Sequence, residues 1–303
     1  MANDQSQILV SIVCITYNHE PYLRQALDGF LMQQTTFPFE IILAEDCSTD
    51  GTRKICEDYV AKYPDKIHYI YRDHNVGYNE NEYEAMCAAK GKYIAYCEGD
   101  DYWTDPLKLQ KQIEFLESHP EYSVCWHRCK HRNAATGEER DDACARILSN
   151  GAEGVELDMD TYFAGWYTQP LTMVFRKDAL DLSLYHSYKY FRDMQQMYHI
   201  LTNGKGYLFA FEGGIRNVHE GGMASMISKE KYCEISLPMD GEFYWRTHSR
   251  GAKKIYIETL DACVRTYSNS NKWKAFRCAF IRLLISGHPH GFVRQMKLIF
   301  GKE

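Results

Sequence analysis

Four clusters of polar residues, each directly after an apolar run, hold most of the side chains that could do chemistry. They are Thr16-Tyr17-Asn18-His19-Glu20, Glu45-Asp46-Cys47-Ser48-Thr49-Asp50-Gly51, Arg72-Asp73-His74-Asn75-Val76-Gly77 and Glu98-Gly99-Asp100-Asp101. The last sets three carboxylates at one strand end. Hard oxygen donors grouped in this way suit Mg²⁺ or Mn²⁺, with substrate phosphates completing the coordination shell. One acidic cluster alone reads as a solvated turn before a helix. Four polar clusters at successive strand ends read as a ligand site, because an open parallel sheet binds ligands beyond the carboxyl ends of its strands.

The elements that must position these clusters follow from the apolar pattern. Ile8–Thr16 is a β-branched run of the kind that forms a buried parallel strand. Further strands are expected over 39–44, 67–71 and 92–97, with helices over 22–31, 52–63, 80–89 and 105–118 between and after them. Asp50 can cap the second helix, and Asp105-Pro106 opens the fourth with proline at a favoured position. Repeated β-α-β units give an α/β fold with a mostly parallel, Rossmann-like sheet flanked by helices. After Tyr122 the rhythm breaks. A strand over 123–131, a turn at Ala135–Glu138, a strand over 171–176 and a helix over 193–202 are expected, with Gly-rich stretches at 204–206 and 213–222.

Cys125, His127, Cys129 and His131 alternate on what would be one face of a strand. At about 3.3 Å per residue the outer two lie roughly 20 Å apart, far beyond the ~2.0–2.3 Å bonds of one zinc ion. They read as packing or acceptor-site residues.

Val10-Ser-Ile-Val-Cys-Ile-Thr-Tyr-Asn18, Glu45-Asp-Cys-Ser-Thr-Asp-Gly51, Asn75-Val-Gly77 and Gly91-Lys-Tyr-Ile-Ala-Tyr-Cys-Glu-Gly-Asp-Asp101, in that order, resemble the family 2 glycosyltransferases of the GT-A fold. The resemblance is close over 8–125 and weaker to 230. It implies transfer of a sugar from a nucleoside diphosphate, with inversion at the anomeric carbon, to a glycan or lipid-linked acceptor. By the same resemblance Thr16, Tyr17, Asn18 and Glu20 line the nucleotide pocket, with Tyr17 near the base. Asp46 hydrogen-bonds the base, and Asp73, Asn75 and Gly77 border it. Asp100 and Asp101 match the DXD-type motif that binds metal and ribose, and Glu98 stands where Asp is commoner. Asp193 takes the place of the catalytic base, although Arg192 precedes it where the family usually has Glu. His219 matches a position that in some members supplies a ligand to the metal, Mn²⁺ or Mg²⁺. Trp166, Tyr167, Thr168 and Gln169 are expected in the acceptor region.

Other classes remain open at this level. A nucleotidyltransferase would share the sheet, the carboxylates and the metal, but would want a Gly-rich basic loop after the first strand. A dehydrogenase would need G-x-G-x-x-G there, which is absent. A protein that binds a nucleotide sugar without turnover would fit the altered Glu98 and Arg192 positions.

The net charge of −6 hides an asymmetry, since residues 271–303 carry seven Lys/Arg and one acid. The acidic body argues against nucleic-acid binding, which depends on neutralising phosphates. Eleven cysteines without a regular framework, a polar start and the lack of an apolar run near ~20 residues lead to an expectation of a cytoplasmic protein. Residues 1–230 are expected to form the catalytic domain, with a nucleotide-binding half over 8–125 and an acceptor half over 126–230. Residues 231–303 should form a helical region. In it Trp273, Phe276, Phe280, Ile281 and Leu284 recur at helical spacing beside Lys274, Arg277 and Arg282, and Phe292–Phe300 adds Arg294 and Lys297. Such a stripe either packs on the protein's own core or lies peripherally against a membrane.

Overall fold

A computed structural model describes residues 7–148, 151–163, 165, 168–220 and 228–301. The chain divides into two compact units. The first comprises 1–162, 166–187 and 192–219, and the second comprises 163–165, 188–191 and 220–303.

The first unit opens with the expected alternation: β1 (Val10–Thr16), α1 (Leu23–Leu31), β2 (Phe39–Glu45), α2 (Thr52–Lys62), β3 (Ile67–Tyr71), α3 (Tyr78–Ala88) and β4 (Tyr93–Tyr96). There follow β5 (Tyr102–Trp103), α4 (Lys108–Ser118), β6 (Tyr122–Asn133), β7 (Glu139–Asp141), β8 (Gly154–Leu157), α5 (Met159–Tyr162), β9 (Val174–Arg176), α6 (Leu184–Ser187), α7 (Asp193–Thr202) and β10 (Lys205–Val218). One ten-stranded sheet runs β3-β2-β1-β4-β9-β6-β10-β5, with β7 on β6 and β8 on β10. β1 pairs in parallel with β2, Thr16 opposite Glu45, and with β4, Val13 opposite Tyr96. These registers bring the carboxyl ends of the strands, and so the polar clusters, to one edge. β1 and β2 are buried along their whole length, which explains their unbroken apolar sequence.

Three expectations shift. The helix foreseen from Asp105 begins at Lys108, because Asp105 spends its carboxylate on the Leu107 amide (2.9 Å) and on Lys111 (2.6 Å). The strand foreseen over 171–176 shortens to Val174–Arg176 behind a 3₁₀ turn that starts at Pro170. Of the Gly-rich stretches foreseen at 204–206 and 213–222, Gly206, Gly213 and Gly214 are parts of β10, which pairs with β6 through shifts of register, while 221 and 222 lie outside the described residues. A Cβ on Gly213 would lie 2.9 Å from the His127 ring, and one on Gly214 2.8 Å from Leu171. Glycine there permits close packing of a bulged strand.

Cys125, His127 and Cys129 are buried in β6, between β9 and β10. Burial pushes the His127 imidazole down to about 3, as expected of a neutral packing residue.

Among the described residues the second unit contains four helices: α8 (Lys229–Thr247), α9 (Arg250–Tyr267), α10 (Lys272–Ser286) and α11 (Pro289–Phe300). Its core joins Cys233, Tyr256, Leu260, Cys263, Val264, Ala275, Cys278, Ala279 and Ile299. No helix among the described residues is long and apolar enough to cross a membrane.

Candidate functional site

The loop after β1 is stitched to the loop after β2. Asn18 has φ of 55°, a conformation that Asn tolerates better than most residues. Its Oδ1 accepts from the Thr49 amide (2.8 Å), and its own amide donates to Ser48 Oγ (3.0 Å). Glu20 accepts from the Gly51 amide (2.8 Å), and the His19 amide donates to Thr52 Oγ1 (2.8 Å). Asn18 and Glu20 therefore shape the rim. Tyr17 is exposed beside them, and Thr16 is buried with an unpartnered Oγ1.

Asp46 is also committed. Its two oxygens accept from the amides of Val76 (2.7 Å) and Gly77 (2.9 Å), and its carbonyl accepts from Asn75 Nδ2 (3.0 Å). The carboxylate thus holds the turn after β3, with Gly77 at φ 87° before α3. Asp73 and Asn75 stay exposed on that turn. Glu45, fully buried, accepts from the Ser48 amide and pairs with Arg53 (2.8 Å).

The loop after β4 differs. Gly99 lets it approach β1, since a Cβ there would stand 2.7 Å from Thr16 Oγ1. Asp100 Oδ2 lies 3.0 Å from His219 Nε2 and 3.8 Å from His19 Nε2, while Asp100 Oδ1 is buried and has no hydrogen-bond partner. Burial opposes ionisation of Asp100, but the His219 hydrogen bond and the nearby His19 outweigh it and hold the carboxyl below its ordinary value. Tyr22 packs over the His219 ring at 4.6 Å between centroids. β10 delivers His219: Asn217 donates its amide to Asp101 Oδ1 (2.8 Å) and its Nδ2 to the Asp100 carbonyl (2.6 Å).

Asp101, expected as a second metal ligand, is 6 % exposed and its Oδ1 accepts from the Asn217 amide, while His19 joins His219 beside Asp100. Burial, then Asp100 and Glu98, pushes the Asp101 carboxyl up. Among the described residues no three His, Cys, Asp or Glu side chains form a ready-made metal cage. A carboxylate with a bare buried oxygen beside two imidazoles nonetheless fits a divalent ion whose remaining ligands come from a substrate.

Glu98 lies in a second acidic group. Burial, then Asp100, Glu82 and Asp193, raises its carboxyl to about 8. Glu82 sits 3 % exposed on α3, and burial lifts it to about 7; Gln196 Nε2 approaches it at 3.4 Å. Asp193 starts α7, its Oδ1 accepting from the Met194 amide (3.0 Å). Burial raises its carboxyl, moderated by that bond, Arg192 and Arg216. A small pocket beside it is lined by Trp126, Tyr162, Thr168, Gln169, Pro170, Met173 and Met197, with Trp126 stacked on Tyr162 at 5.4 Å. Thr168 and Gln169, expected in the acceptor region, line this pocket, while Trp166 and Tyr167 lie outside the described residues. Sequence reasoning missed Glu82, whose only signal is its position in α3, without a recognisable motif.

A family model described as glycosyl transferase family 2 matches residues 11–180, more than half of the chain. The chain belongs to glycosyl transferase family 2. Its fold agrees with the GT-A glycosyltransferases. The structure of S. aureus TarS in complex with UDP-GlcNAc aligns with a TM-score of 0.66 at 18 % identity, covering 96 % of this chain and 90 % of that one. The mannosyltransferase PcManGT from Pyrobaculum calidifontis, in complex with GDP-Man and Mn²⁺, aligns with a TM-score of 0.54 at 15 % identity, covering 99 % and 90 %. At such identities the likeness is one of fold. Closer sequence relatives match over shorter stretches. An uncharacterised Mycobacterium tuberculosis protein is 53 % identical over 118 residues, 39 % of this chain and 34 % of that protein. A Bacillus subtilis protein provisionally named as the teichuronic acid biosynthesis glycosyltransferase TuaG is 37 % identical over 108 residues, 36 % and 42 % of the two chains. The match thus spans less than half the length of either relative.

Proposed function

We propose that this family 2 member transfers a glycosyl group from a nucleoside diphosphate sugar, a UDP-sugar in the first instance, to an acceptor hydroxyl in polysaccharide or glycolipid synthesis, with inversion. The observation that carries this reading is Asp100: a half-buried carboxylate whose buried Oδ1 has no hydrogen-bond partner, beside His219 and His19, where the loops after β1 and β4 meet. That is the chemistry that a metal-bridged diphosphate needs at the carboxyl edge of the sheet. The UDP-GlcNAc complex of TarS and the GDP-Man–Mn²⁺ complex of PcManGT support the substrate class by analogy of fold.

Asp100 and His219, with His19 beside them, would hold Mn²⁺ or Mg²⁺. When bound, the ion supplies Lewis-acid stabilisation of the charge growing on the leaving diphosphate. The chain's own groups do the rest. Asp193 accepts the proton of the acceptor hydroxyl as its oxygen bonds to the anomeric carbon, and the bond from that carbon to the diphosphate oxygen breaks on the opposite face. Arg216 lowers the cost of a charged Asp193. The rim formed by Tyr17, Asn18, Asp73 and Asn75 is open to a nucleoside, while Asp46 and Glu20 fix its shape from behind.

The test is turnover of a panel of nucleotide sugars with Mn²⁺, with and without EDTA, read as nucleoside diphosphate release and, by NMR, as anomeric configuration. Release that depends on the ion and yields an inverted product is the expected result. Nucleotide binding with no release would favour a binder, and formation of pyrophosphate a nucleotidyltransferase.

A further inference from the structure

Helix α10 distributes its apolar residues the wrong way round for a helix that serves only its own core. Its buried face is made of small side chains, Ala275, Cys278 and Ala279, with Ile285 at the end. The large ones turn outward: Trp273 and Leu284 are each 68 % exposed, and Phe280 is 46 % exposed. At 100° per residue Trp273, Phe280 and Leu284 fall within one narrow stripe. The half-buried Phe276 bridges to it, its ring 5.7 Å from Trp273, 6.3 Å from Phe280 and 6.5 Å from the exposed Phe300 of α11. The stripe leads into a groove of about 300 Å³ lined by Tyr244, Trp245, Tyr256, Ile281, Leu284 and Ile285. A contiguous apolar face of this kind on a folded surface marks something that covers it.

Charge decides what covers it. No acid occurs between Asn271 and Gly301. Arg282 is paired with Asp261 at 2.5 Å, but Lys272, Lys274, Arg277, Arg294 and Lys297 form no ion pair with any described residue. Arg277 lies on the same side of α10 as Trp273 and Leu284. A second copy docking by two-fold symmetry would set this patch against itself, cation against cation, with no acid to offset them. An anionic bilayer meets both demands: phosphate headgroups for the basic side chains, and the acyl boundary for the aromatic ones, which favour that interface. Among the described residues no helix is long and apolar enough to cross a bilayer, and the contact considered is a surface one.

We propose that the outer face of α10 and α11 seats the second unit on an anionic lipid surface, with Trp273, Phe280 and Leu284 entering the headgroup region and Arg277, Arg294 and Lys297 contacting phosphates. The inference does not depend on the catalytic reading.

The full chain is sedimented with vesicles of phosphatidylcholine, alone or mixed with phosphatidylglycerol, at low and high salt. The expected result is pelleting with the mixed vesicles only, weakened by salt. It should fall at least about tenfold in the combined variant Trp273→Ser, Phe280→Ser, Leu284→Ser and in Arg277→Glu, Arg294→Glu. All these positions are exposed, so unchanged thermal melting verifies that the variants fold. A blue shift of tryptophan emission on vesicle addition, absent in Trp273→Phe, gives a second readout. Equal pelleting of wild type and variants would overturn the proposal. So would no pelleting at all, or a wild-type dimer without lipid that the serine variant converts to monomer.

Discussion

After β2, the carboxylates of Glu45 and Asp46 are buried and every oxygen already accepts, from Ser48, Arg53, Val76 and Gly77. After β4, a strand that pairs with β1 on its other side, Asp100 is half-buried with its buried Oδ1 unpartnered, and Glu98 is held near 8 by burial and by its acidic neighbours. Both regions present the same signal, acids directly behind an apolar strand. Their chemistry is opposite. A satisfied buried carboxylate stabilises the loop that it ties down, whereas an unsatisfied one costs stability and persists where a ligand or a reaction uses it. The acids divide accordingly: Glu45 and Asp46 tie down the loops at the rim, while Asp100 keeps one buried oxygen without a partner and burial raises the carboxyls of Glu98, Glu82 and Asp193.

The sharpest way to break this division is at Asp193. Asp193→Asn keeps the size and the hydrogen bond to Met194, so α7 should form and nucleotide binding should be nearly unchanged. Transfer should fall by roughly 10²–10⁴-fold, the usual worth of a general base. The base must be ionised, and burial raises the Asp193 carboxyl, so wild-type kcat should decline as pH falls through a value above the ordinary carboxylate range. An unaltered rate in the variant would leave Asp193 as a helix cap only.

A smaller effect tests whether strain is stored at Glu82. Its folded-state value of about 7 stands above the ordinary 4.5. A raised carboxyl contributes stability only while protonated, so that contribution is lost as pH rises from about 4.5 to 7. Glu82→Gln imitates the protonated form. It should therefore leave Tm unchanged near pH 4 and raise stability above pH 7, by up to about 3 kcal/mol at 1.36 kcal/mol per unit. A variant less stable at both pH values would show that the ionised group is satisfied, and Glu82 would join Asp46.

Sequence made the first half of the fold legible to within a residue or two, because β1, β2 and β4 are buried along their whole length and α1 to α3 lie between the strands. The later half was harder for identifiable reasons. Gly213 and Gly214 resemble a loop, yet they permit β10 to pass His127 and Leu171, contacts that only the folded sheet reveals. α8 continues through Pro238, and that proline masks a 19-residue helix. Within the site, the strand-end positions of Asp46, Glu20, Asp100 and Asp101 were readable, but not their orientation. Whether an acid meets a backbone amide or an empty space depends on loops distant in sequence, Val76-Gly77 for Asp46 and Asn217 for Asp101. His19 belonged to a recognised cluster, but its approach to Asp100 depends on Gly99.

The most direct measurement compares the two strand ends by binding. Mn²⁺ is titrated, by electron paramagnetic resonance, into wild type, Asp100→Asn and Asp46→Asn in the presence of UDP. The account predicts that wild type binds the ion, that Asp100→Asn weakens binding at least about tenfold, and that Asp46→Asn binds it almost as wild type does while melting at a lower temperature. Equal Mn²⁺ affinity in wild type and Asp100→Asn, or its loss in Asp46→Asn with no change in melting, would contradict it.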